Sequence, residues 1–383
     1  MNAIERNNCV ICGEADLEDL IELPNFPVFI GATSEPYNTD QFYDMSWAIS
    51  KKSGVIQLKN LLPLDLIYSG FHSEAVGAVW EKHREEFAKF ISKNTVSGDI
   101  HEMGGSDGRQ ALLHHQLNKD SFDNWYIVEP NIPKSLKLAD NRIKYIDGFI
   151  EDKIDSFDKV NNFVHSHVLE HLYEPSKIID LIYDKQKVGD RTIFAIPNLK
   201  LYVENLFVNA LNFEHTYYIT DEIVEFLFNN NGYKLVDKMF YVNHGIYYCY
   251  EKIETAVHTP LPNKEFFDNN KKDYLNLVDF YKNEVNLYND LIENHNGEVY
   301  LFGGHIFSQF LLYLGLKQEK IISILDNSKQ KQDKRLYGYE LMIHSPELIK
   351  NSSNPLVILK VGQYFEEVKE QLLKINSNVS IVK

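Results

Sequence analysis

The segment Glu102-Met103-Gly104-Gly105-Ser106-Asp107-Gly108 follows a short apolar run and precedes a stretch of helical periodicity that begins near Arg109. Glycine at a strand-to-helix turn lets the backbone approach a ligand closely and adopt conformations that other residues disfavour. The helix that follows presents unpaired backbone N–H groups at its N-terminus. The segment therefore predicts a ligand-binding turn, although a glycine-rich turn of this kind also occurs as a plain tight connection.

Short apolar runs alternate with helical stretches on both sides of this turn. Such alternation is typical of a parallel sheet covered by helices. A second, shorter alternation follows a long polar helix predicted over residues 264–296, which we interpret as a solvated connector or, alternatively, a partner surface. The predicted strands are residues 99–103, 125–129, 142–145, 162–166 and 192–196 in the first alternation and 299–302, 321–326 and 356–361 in the second.

Three sections follow from these patterns. Residues 1–72 are rich in turn residues and strand-like runs, which predicts a small, mostly β module. Residues 73–257 form the first α/β section, whose opening helix is predicted over 74–94 with Ser73 as its N-cap. Residues 258–383 form a second, Rossmann-like α/β section, and the two prolines of His258-Thr259-Pro260-Leu261-Pro262 mark the boundary.

The charge balance excludes several classes of partner. The chain has 39 basic and 55 acidic side chains and a net charge of −16. Nucleic-acid binding needs clustered Lys and Arg, and membrane-surface binding needs a basic amphipathic stretch, so we expect neither and favour a small-molecule substrate. The N-terminus has no apolar signal-like run, and the three cysteines Cys9, Cys12 and Cys249 form no disulfide framework. We therefore expect a soluble cytoplasmic protein.

Two further features indicate the ligand of the glycine turn. The next predicted strand ends in Glu129, about 20 residues after the glycines, where a carboxylate can accept both ribose hydroxyls of an adenosine. After the third strand, Gly148 and Phe149 can hold an adenine ring with backbone and an aromatic face.

NAD and S-adenosylmethionine both use a glycine turn followed by an acid. Here, however, Glu102 precedes the first glycine and Asp107 lies within the turn. Negative charge at these positions repels a pyrophosphate but suits a sulfonium and an amino group. We therefore predict an S-adenosyl-L-methionine site formed by Glu102, Gly104, Gly105, Asp107, Gly108, Glu129 and Phe149.

The chain resembles the three-domain sugar C-methyltransferases, which methylate nucleotide-linked keto-deoxysugars. The resemblance implies a central class I (Rossmann-like) methyltransferase domain, a small β-rich N-terminal module and a C-terminal Rossmann-like domain. It also implies that the C-terminal domain, with Gly303 and Gly304, helps bind the nucleotide-sugar. It rests on the glycine segment, Val128-Glu129-Pro130, Val168-Leu169-Glu170-His171, Val299-Tyr300-Leu301-Phe302-Gly303-Gly304, Leu325-Asp326-Asn327-Ser328 and Tyr337-Gly338.

One departure from the family concerns its N-terminal zinc site. The family binds zinc through two Cys-x-x-Cys pairs, and here Cys9 and Cys12 form one pair. Ser50 and Ser53 stand at the positions of the second pair. Neutral hydroxyls are poor zinc ligands, so we expect no metal at this site.

The second departure concerns the acceptor site. The family has a Tyr-His-Glu-His-type segment whose last histidine is a proposed base. Here the match is Asn212-Phe213-Glu214-His215, which makes His215 the candidate base and Glu214 its catalytic neighbour. A later His-Gly-Gly-Ser run is reduced to His244-Gly245. We expect Tyr218 and His244 to bind substrate. Further candidates are Tyr217 for the missing phenol, Tyr68, His72 and Ser73 at the hinge, and His171, more as packing than as function.

Methyl transfer is an in-line displacement at a sulfonium methyl, and much of catalysis is alignment of donor and acceptor. A carbon acceptor must become an enolate, which needs a base and stabilisation of the oxyanion. The leading hypothesis is carbon methylation of a nucleotide-activated sugar. The alternatives are O-methylation of a sugar or small metabolite, and a non-catalytic binding protein that retains the cofactor fold.

Overall fold

The first section of the chain is mostly β. The structure, a computed structural model, describes residues 3–68, 78–118, 120–132 and 140–383. A three-stranded antiparallel sheet of order β2-β4-β5 holds this section together. Alternate residues Met45, Trp47 and Ile49 of β4 are fully buried, as expected for a sheet with one face on the core. The elements are β1 Ile4–Glu5, β2 Leu17–Pro27, β3 Ala32–Thr33, β4 Phe42–Ser50, β5 Ile56–Leu58, β6 Asn60–Leu61 and α1 Leu64–Ile67.

The middle section contains a seven-stranded sheet of order β12-β13-β11-β10-β7-β8-β9. Neighbouring strands are parallel except around β13, which is antiparallel to both β11 and β12. The elements are α2 Ala78–Asn94, β7 Ile100–Met103, α3 Arg109–Leu117, β8 Trp125–Glu129, β9 Ile143–Asp147, α4 Ile150–Lys153, β10 Asn162–Ser166, α5 Pro175–Lys185, β11 Arg191–Pro197, α6 Leu199–Glu204, α7 Asp221–Asn230, β12 Tyr233–Tyr241 and β13 Gly245–Lys252.

The order of these strands determines where a ligand can bind. The first strand, β7, lies in the middle of the sheet between β8 and β10, so the winding of the chain reverses there. In open α/β sheets, ligands bind in the crevice beyond the carboxyl ends of the strands at such a reversal. The glycine segment follows β7 directly and therefore occupies this position.

The last section is a second α/β unit with a five-stranded parallel sheet of order β17-β15-β14-β18-β19. Its first strand, β14, is again central, which is the arrangement of a Rossmann-like sheet. The elements are α8 Lys264–Asn294, β14 Val299–Phe302, α9 Ile306–Tyr313, β15 Ile321–Leu325, β16 Arg335–Leu336, β17 Ile343–His344, β18 Leu356–Leu359, α10 Phe365–Ile375 and β19 Ser380–Val382.

The long helix α8 is not a solvated connector, and that interpretation of residues 264–296 is wrong. One stripe of the helix is buried along its whole length, because apolar residues recur at three- and four-residue spacing between its exposed charges. The N-terminal end of this stripe packs on the first section, where Tyr274 contacts Trp47 and Asn270 Nδ2 donates to the Gly54 carbonyl. The stripe comprises Asn270, Tyr274, Leu277, Val278, Tyr281, Val285, Tyr288 and Ile292.

The first and last sections also meet directly. Strand β3 pairs antiparallel with β16. Arg335, the first residue of β16, forms a bidentate ion pair with Asp40. Within the described residues, no helix combines the length and the apolar character that crossing a membrane requires.

Candidate functional site

The glycine turn is shaped by backbone conformations that only glycine adopts easily. Gly104 and Gly108 have φ of +69° and +68°, in the left-handed region. A Cβ on Gly105 would lie 2.6 Å from Cγ2 of Ile127 and 2.9 Å from Cδ of Glu102. The turn is therefore held tightly against the sheet, with its backbone at the carboxyl edge.

Glu129 ends β8 beside this turn and is held in place by backbone amides. Its Oε2 accepts the N–H of Ser106 at 3.0 Å, and its Oε1 accepts the N–H of Asn131 at 2.9 Å. Each carboxylate oxygen has a second lone pair free for a ligand donor. This arrangement suits the predicted contact with two ribose hydroxyls.

Glu102 lies beneath the turn rather than beside it. The side chain is buried, and its Oε2 accepts the indole N–H of Trp125 at 2.7 Å. Burial raises the pKa of Glu102 to about 8, with smaller contributions from the negative charges of Asp107 and Glu129. Glu102 is thus packed under the turn, between Gly105 and Trp125.

Asp107 lies in the turn and is engaged with the start of α3. One carboxylate oxygen accepts the backbone N–H of Arg109 at 3.1 Å, and the other lies 3.2 Å from the guanidinium Nε of the same residue. Arg109 in turn contacts Glu81 of α2 at 2.8 Å. The negative charge of Asp107 is therefore partly balanced within the protein.

Phe149 and Tyr68 line the opposite side of this crevice. Gly148, with φ of +127°, turns the chain after β9, and Phe149 follows it. The rings of Phe149 and Tyr68 meet edge to face with centroids 5.9 Å apart. Burial and the nearby carboxylates of Glu214, Glu170 and Glu129 raise the pKa of Tyr68. Tyr68 therefore packs against Phe149 of the predicted cofactor site.

The candidate base His215 lies together with Glu170 and His171, and these three residues are called the acceptor cluster. Glu170 and His171 follow β10, and His215 lies in the loop between α6 and α7. The rings of the two histidines meet edge to face at 5.2 Å between centroids. A backbone hydrogen bond from Thr216 N to the Glu170 carbonyl, 3.0 Å long, ties the two segments together.

The charges in this cluster are strongly affected by burial. Burial raises the pKa of Glu170 to about 8. Burial and the neighbouring His171 lower the pKa of His215 to about 3. His171 Nε2 lies 3.7 Å from Glu170 Oε1. The cluster thus contains one fully buried carboxyl and two partly buried imidazoles, and Glu214 is adjacent to it in the chain.

Asn212 stands where the family that the chain resembles has a tyrosine, and its side chain holds the local backbone. Its Oδ1 accepts the backbone N–H groups of both Glu214 and His215 at 2.8 Å. The side chain is buried, so it shapes the loop that presents these two residues. This loop places His215 beside His171, with ring centroids 5.2 Å apart, and Glu214 precedes it in the chain.

Tyr218 and His244 do not join this cluster. Tyr218 is buried against Tyr274 of α8, with ring centroids 5.3 Å apart. His244 is buried in a separate aromatic group, 4.4 Å from Trp80 and 5.3 Å from His83 between ring centroids. Tyr217 is fully buried and its hydroxyl donates to the Leu169 carbonyl, so its phenol is already committed. Residues His72 and Ser73 lie outside the described residues.

The glycines of the last section form a turn after β14 that already has an acidic partner. Gly303 has φ of +102°, and the Gly304 N–H donates to Oδ2 of Asp326 at 2.8 Å. A second backbone N–H, that of Ser328, donates to the other Asp326 oxygen at 2.8 Å. A phosphate at this turn would meet the Asp326 carboxylate, although Lys331 lies 3.5 Å from it.

Cys9, Cys12, Ser50 and Ser53 lie close together; they match the zinc-ligand positions of the family that the chain resembles. Cys9 Sγ lies 3.1 Å from Ser53 Oγ, and Cys12 Sγ lies 4.0 Å from Ser50 Oγ. Ser50 Oγ also donates to Asp16 Oδ2 and accepts the backbone N–H of Ser53, both at 3.1 Å. Two thiols and two hydrogen-bonded hydroxyls do not fit a structural zinc ion, which takes four thiolate or imidazole ligands.

Glu170 is part of the motif Val168-Leu169-Glu170-His171, from which no role was predicted for it. Its signal is a carboxyl group four residues after the end of the largely buried strand β10 and next to a histidine. No role was predicted for His167 either; it has φ of +54°, an unusual conformation for a non-glycine residue, and its ring lies 4.9 Å from that of His83 and 5.6 Å from that of His244 between centroids.

Comparisons with known proteins give partial similarity to solved structures. No family model matches the sequence, and no curated protein matches it. A putative S-adenosylmethionine-dependent methyltransferase from Listeria monocytogenes aligns over 45% of this chain and 100% of its own, at 11% identity and a TM-score of 0.37. The N-methyltransferase NodS from Bradyrhizobium japonicum WM9 aligns over 46% and 97%, at 12% identity and a TM-score of 0.34.

A third solved structure, CalO1, a methyltransferase in calicheamicin biosynthesis in its SAH-bound form, aligns over 45% of this chain and 55% of its own. The identity is 11% and the TM-score 0.36. The assignment of the fold rests on the sheet itself. A seven-stranded sheet with its first strand central and one antiparallel strand, β13, next to the edge is the class I methyltransferase fold.

Proposed function

We propose that this chain is an S-adenosyl-L-methionine-dependent methyltransferase of a small acceptor. The observation that carries the proposal is the glycine turn at the carboxyl end of the central strand β7, beside which two backbone amides hold the Glu129 carboxylate. The turn, Glu129 and Phe149 form the proposed cofactor set. Glu170, His171, Glu214 and His215 form the proposed acceptor set. A cofactor in the first set presents its methyl group toward an acceptor in the second.

Four features of the site bind the cofactor in this proposal. Gly104 and Gly105 let the methionine and ribose parts approach the backbone, and Asp107 adds negative charge that suits a sulfonium and an ammonium group. The fixed carboxylate of Glu129 accepts the ribose hydroxyls. The aromatic face of Phe149 holds the adenine.

For the acceptor we propose the carbon next to the ketone of a nucleotide-linked keto-deoxysugar. A base, His215 or Glu214, takes the proton from that carbon, and the resulting enolate carbon attacks the methyl group. A C–C bond forms, the C–S bond breaks with its electron pair going to sulfur, and S-adenosylhomocysteine leaves. Support comes from the resemblance along the chain and from the second Rossmann-like sheet.

One observation favours O-methylation of a sugar or small metabolite as a second candidate. Asn212 replaces the family tyrosine and uses its amide oxygen to hold the loop, so the acceptor site lacks that phenol. Oxygen attack needs removal of a hydroxyl proton only, with no enolate to stabilise.

Cofactor titration tests the donor assignment. Glu129→Ala should weaken S-adenosylmethionine binding about 10- to 100-fold, because charge-assisted hydrogen bonds contribute about 1.5–3 kcal/mol. The measurement is isothermal titration calorimetry of the full chain. The control is Asp158→Asn, an exposed acid before β10 at the opposite edge of the sheet. Unchanged affinity in Glu129→Ala contradicts the proposed cofactor site.

Proton exchange tests the carbon acceptor. A keto-deoxysugar nucleotide incubated with the enzyme in deuterated water should exchange the proton next to its ketone, and Glu214→Gln with His215→Gln should identify the base. Absence of exchange with the unaltered enzyme contradicts carbon methylation and favours the oxygen acceptor.

A further inference from the structure

The acceptor cluster has the composition of a metal site. One ligand atom each from Glu170, His171 and His215 lies within 4.8 Å of the other two. We propose that these three side chains bind a divalent transition-metal ion. Nothing in the sequence resemblance assigns an ion here.

The state of Glu170 is the strongest reason for the proposal. Its side chain is fully buried, and neither carboxylate oxygen makes a hydrogen bond to another residue in the described part of the chain. A buried carboxyl group that makes no hydrogen bond is costly to the fold, because it loses its hydration and the imidazole of His171, 3.7 Å away, is beyond hydrogen-bond distance. A cation between Glu170 and the two histidines removes that cost.

His215 also has a buried polar atom without a hydrogen bond in the part of the chain that the structure describes. His215 Nδ1 is buried and makes no hydrogen bond within the described residues. Its backbone is fixed by Asn212 Oδ1, and the neighbouring Thr216 N–H is bonded to the carbonyl of Glu170. Two of the three ligand-bearing residues are thus fixed relative to each other through their backbones.

The spacing of the ligands fits a first-row ion after a small adjustment. Zn²⁺ binds imidazole nitrogen and carboxylate oxygen at about 2.0–2.2 Å, which places the ligand atoms of a tetrahedral site about 3.4 Å apart. From a spacing of at most 4.8 Å, the side chains must close by about 1.4 Å or less.

The donor set selects the kind of ion. Two imidazoles and one carboxylate suit Zn²⁺, Fe²⁺ or Co²⁺, whereas Mg²⁺ prefers oxygen ligands only. Three protein ligands leave at least one coordination position for an exogenous oxygen atom. The expected ligand there is the keto or hydroxyl oxygen of the acceptor, which the ion polarises.

This role of the ion rests on the function proposed above, whereas its binding does not. With the ion bound, His215 is a ligand, and Glu214 becomes the residue that takes the proton. Glu214→Gln should then lose proton exchange and keep the metal. The result differs from that of His215→Gln, which should lose both.

Cobalt titration tests the site directly. The full chain, freed of metal by chelation, is titrated with Co²⁺ while its visible d–d absorption is recorded, and the ion is then displaced with Zn²⁺. We expect saturation at one ion per chain. Glu170→Gln and His215→Gln should abolish the saturable signal. The matched control is His114→Gln, which should keep the saturable signal. His114 is a buried histidine of α3 that is hydrogen-bonded to Ser121.

Two further measurements make the outcome decisive. A Cys9→Ser variant excludes binding by the N-terminal thiols, which would add a thiolate-to-cobalt charge-transfer band. X-ray absorption of the zinc-loaded, unaltered chain should show nitrogen and oxygen ligands and no sulfur, whether or not the variants fold. Failure of the chain to bind Co²⁺ stoichiometrically, or binding that survives His215→Gln, overturns the proposal. S-adenosylmethionine affinity, measured separately, decides the cofactor assignment.

Discussion

At the scale of single residues, burial decides what each acidic group in the crevice does. Glu129 ends β8 and Glu102 is the penultimate residue of the neighbouring parallel strand β7, yet Glu129 accepts two backbone N–H groups beside the turn and Glu102 lies beneath it on Trp125. The spacing of residues in the sequence identified both positions. It did not distinguish them, because the direction of a side chain at a strand end depends on what packs above it. The same limit explains why no role could be predicted for Glu170 from its motif.

The buried carboxyl of Glu102 predicts a pH dependence of stability. Its folded pKa of about 8 lies above the ordinary value of 4.5, so the folded state binds the proton more tightly. Its stabilising effect is therefore fully present below about pH 4.5 and is lost as the pH rises toward about 8. Glu102→Gln is neutral at every pH and still accepts the Trp125 N–H.

The free energy of unfolding of Glu102→Gln, minus that of the unaltered chain, should thus increase from about pH 5 to about pH 8 and then level off. Urea denaturation followed by circular dichroism at several pH values measures this difference. Glu254→Gln, at an exposed position, is the control and should give a flat difference. A flat difference for Glu102→Gln as well would show that the carboxyl is ionised in the folded state.

At the scale of elements, strands were easier to predict than the role of the long helix. Strands β8, β10 and β14 have the bounds that their apolar runs predicted, because strands of a covered parallel sheet are apolar on both faces. The helix α8 was predicted almost to its ends. The sequence did not reveal the buried stripe of α8, because charged residues dominate the composition of the helix. The residues that pack against the stripe are also far away in sequence.

The stripe of α8 gives a prediction for stability. Leu277 is fully buried on that stripe, whereas Leu287 of the same helix is 58% exposed. Leu277→Ala should lower the free energy of unfolding by about 2–5 kcal/mol, because it removes buried methyl groups and leaves a cavity. Leu287→Ala should change it by less than about 0.5 kcal/mol. Equal effects of the two substitutions in thermal or urea denaturation would contradict the packing described for α8.

At the scale of the whole molecule, the three sections are joined by contacts that sequence patterns do not reveal. The pairing of β3 with β16 links residues about 300 positions apart, and two-residue strands leave no recognisable periodicity. Gln309 of α9 adds to this junction by donating to the carbonyls of Phe29 and Tyr337. The sections were correctly predicted as α/β or β units, but their boundaries of 72/73 and 257/258 remain proposals.

The ion pair between Arg335 and Asp40 predicts how this junction responds to mutation. Both guanidinium contacts to the Asp40 carboxylate are 2.6 Å long, and the Gly338 N–H donates to the same carboxylate at 2.7 Å. The Asp40 side chain is fully buried and that of Arg335 is 9% exposed. Asp40→Asn should destabilise the junction by about 3–5 kcal/mol, because it leaves a buried guanidinium without its counter-charge.

Hydrogen–deuterium exchange localises that effect. Amide exchange should accelerate in β3 and β16 of Asp40→Asn and stay unchanged in β7 and β8, because the middle sheet makes no use of this ion pair. Asp19→Asn removes an exposed acid that pairs with Lys59 at 2.6 Å, and should leave exchange in β3 and β16 unaltered. If Asp40→Asn behaves like Asp19→Asn, the first and last sections are held together by their apolar contacts and not by the buried charges at β3 and β16.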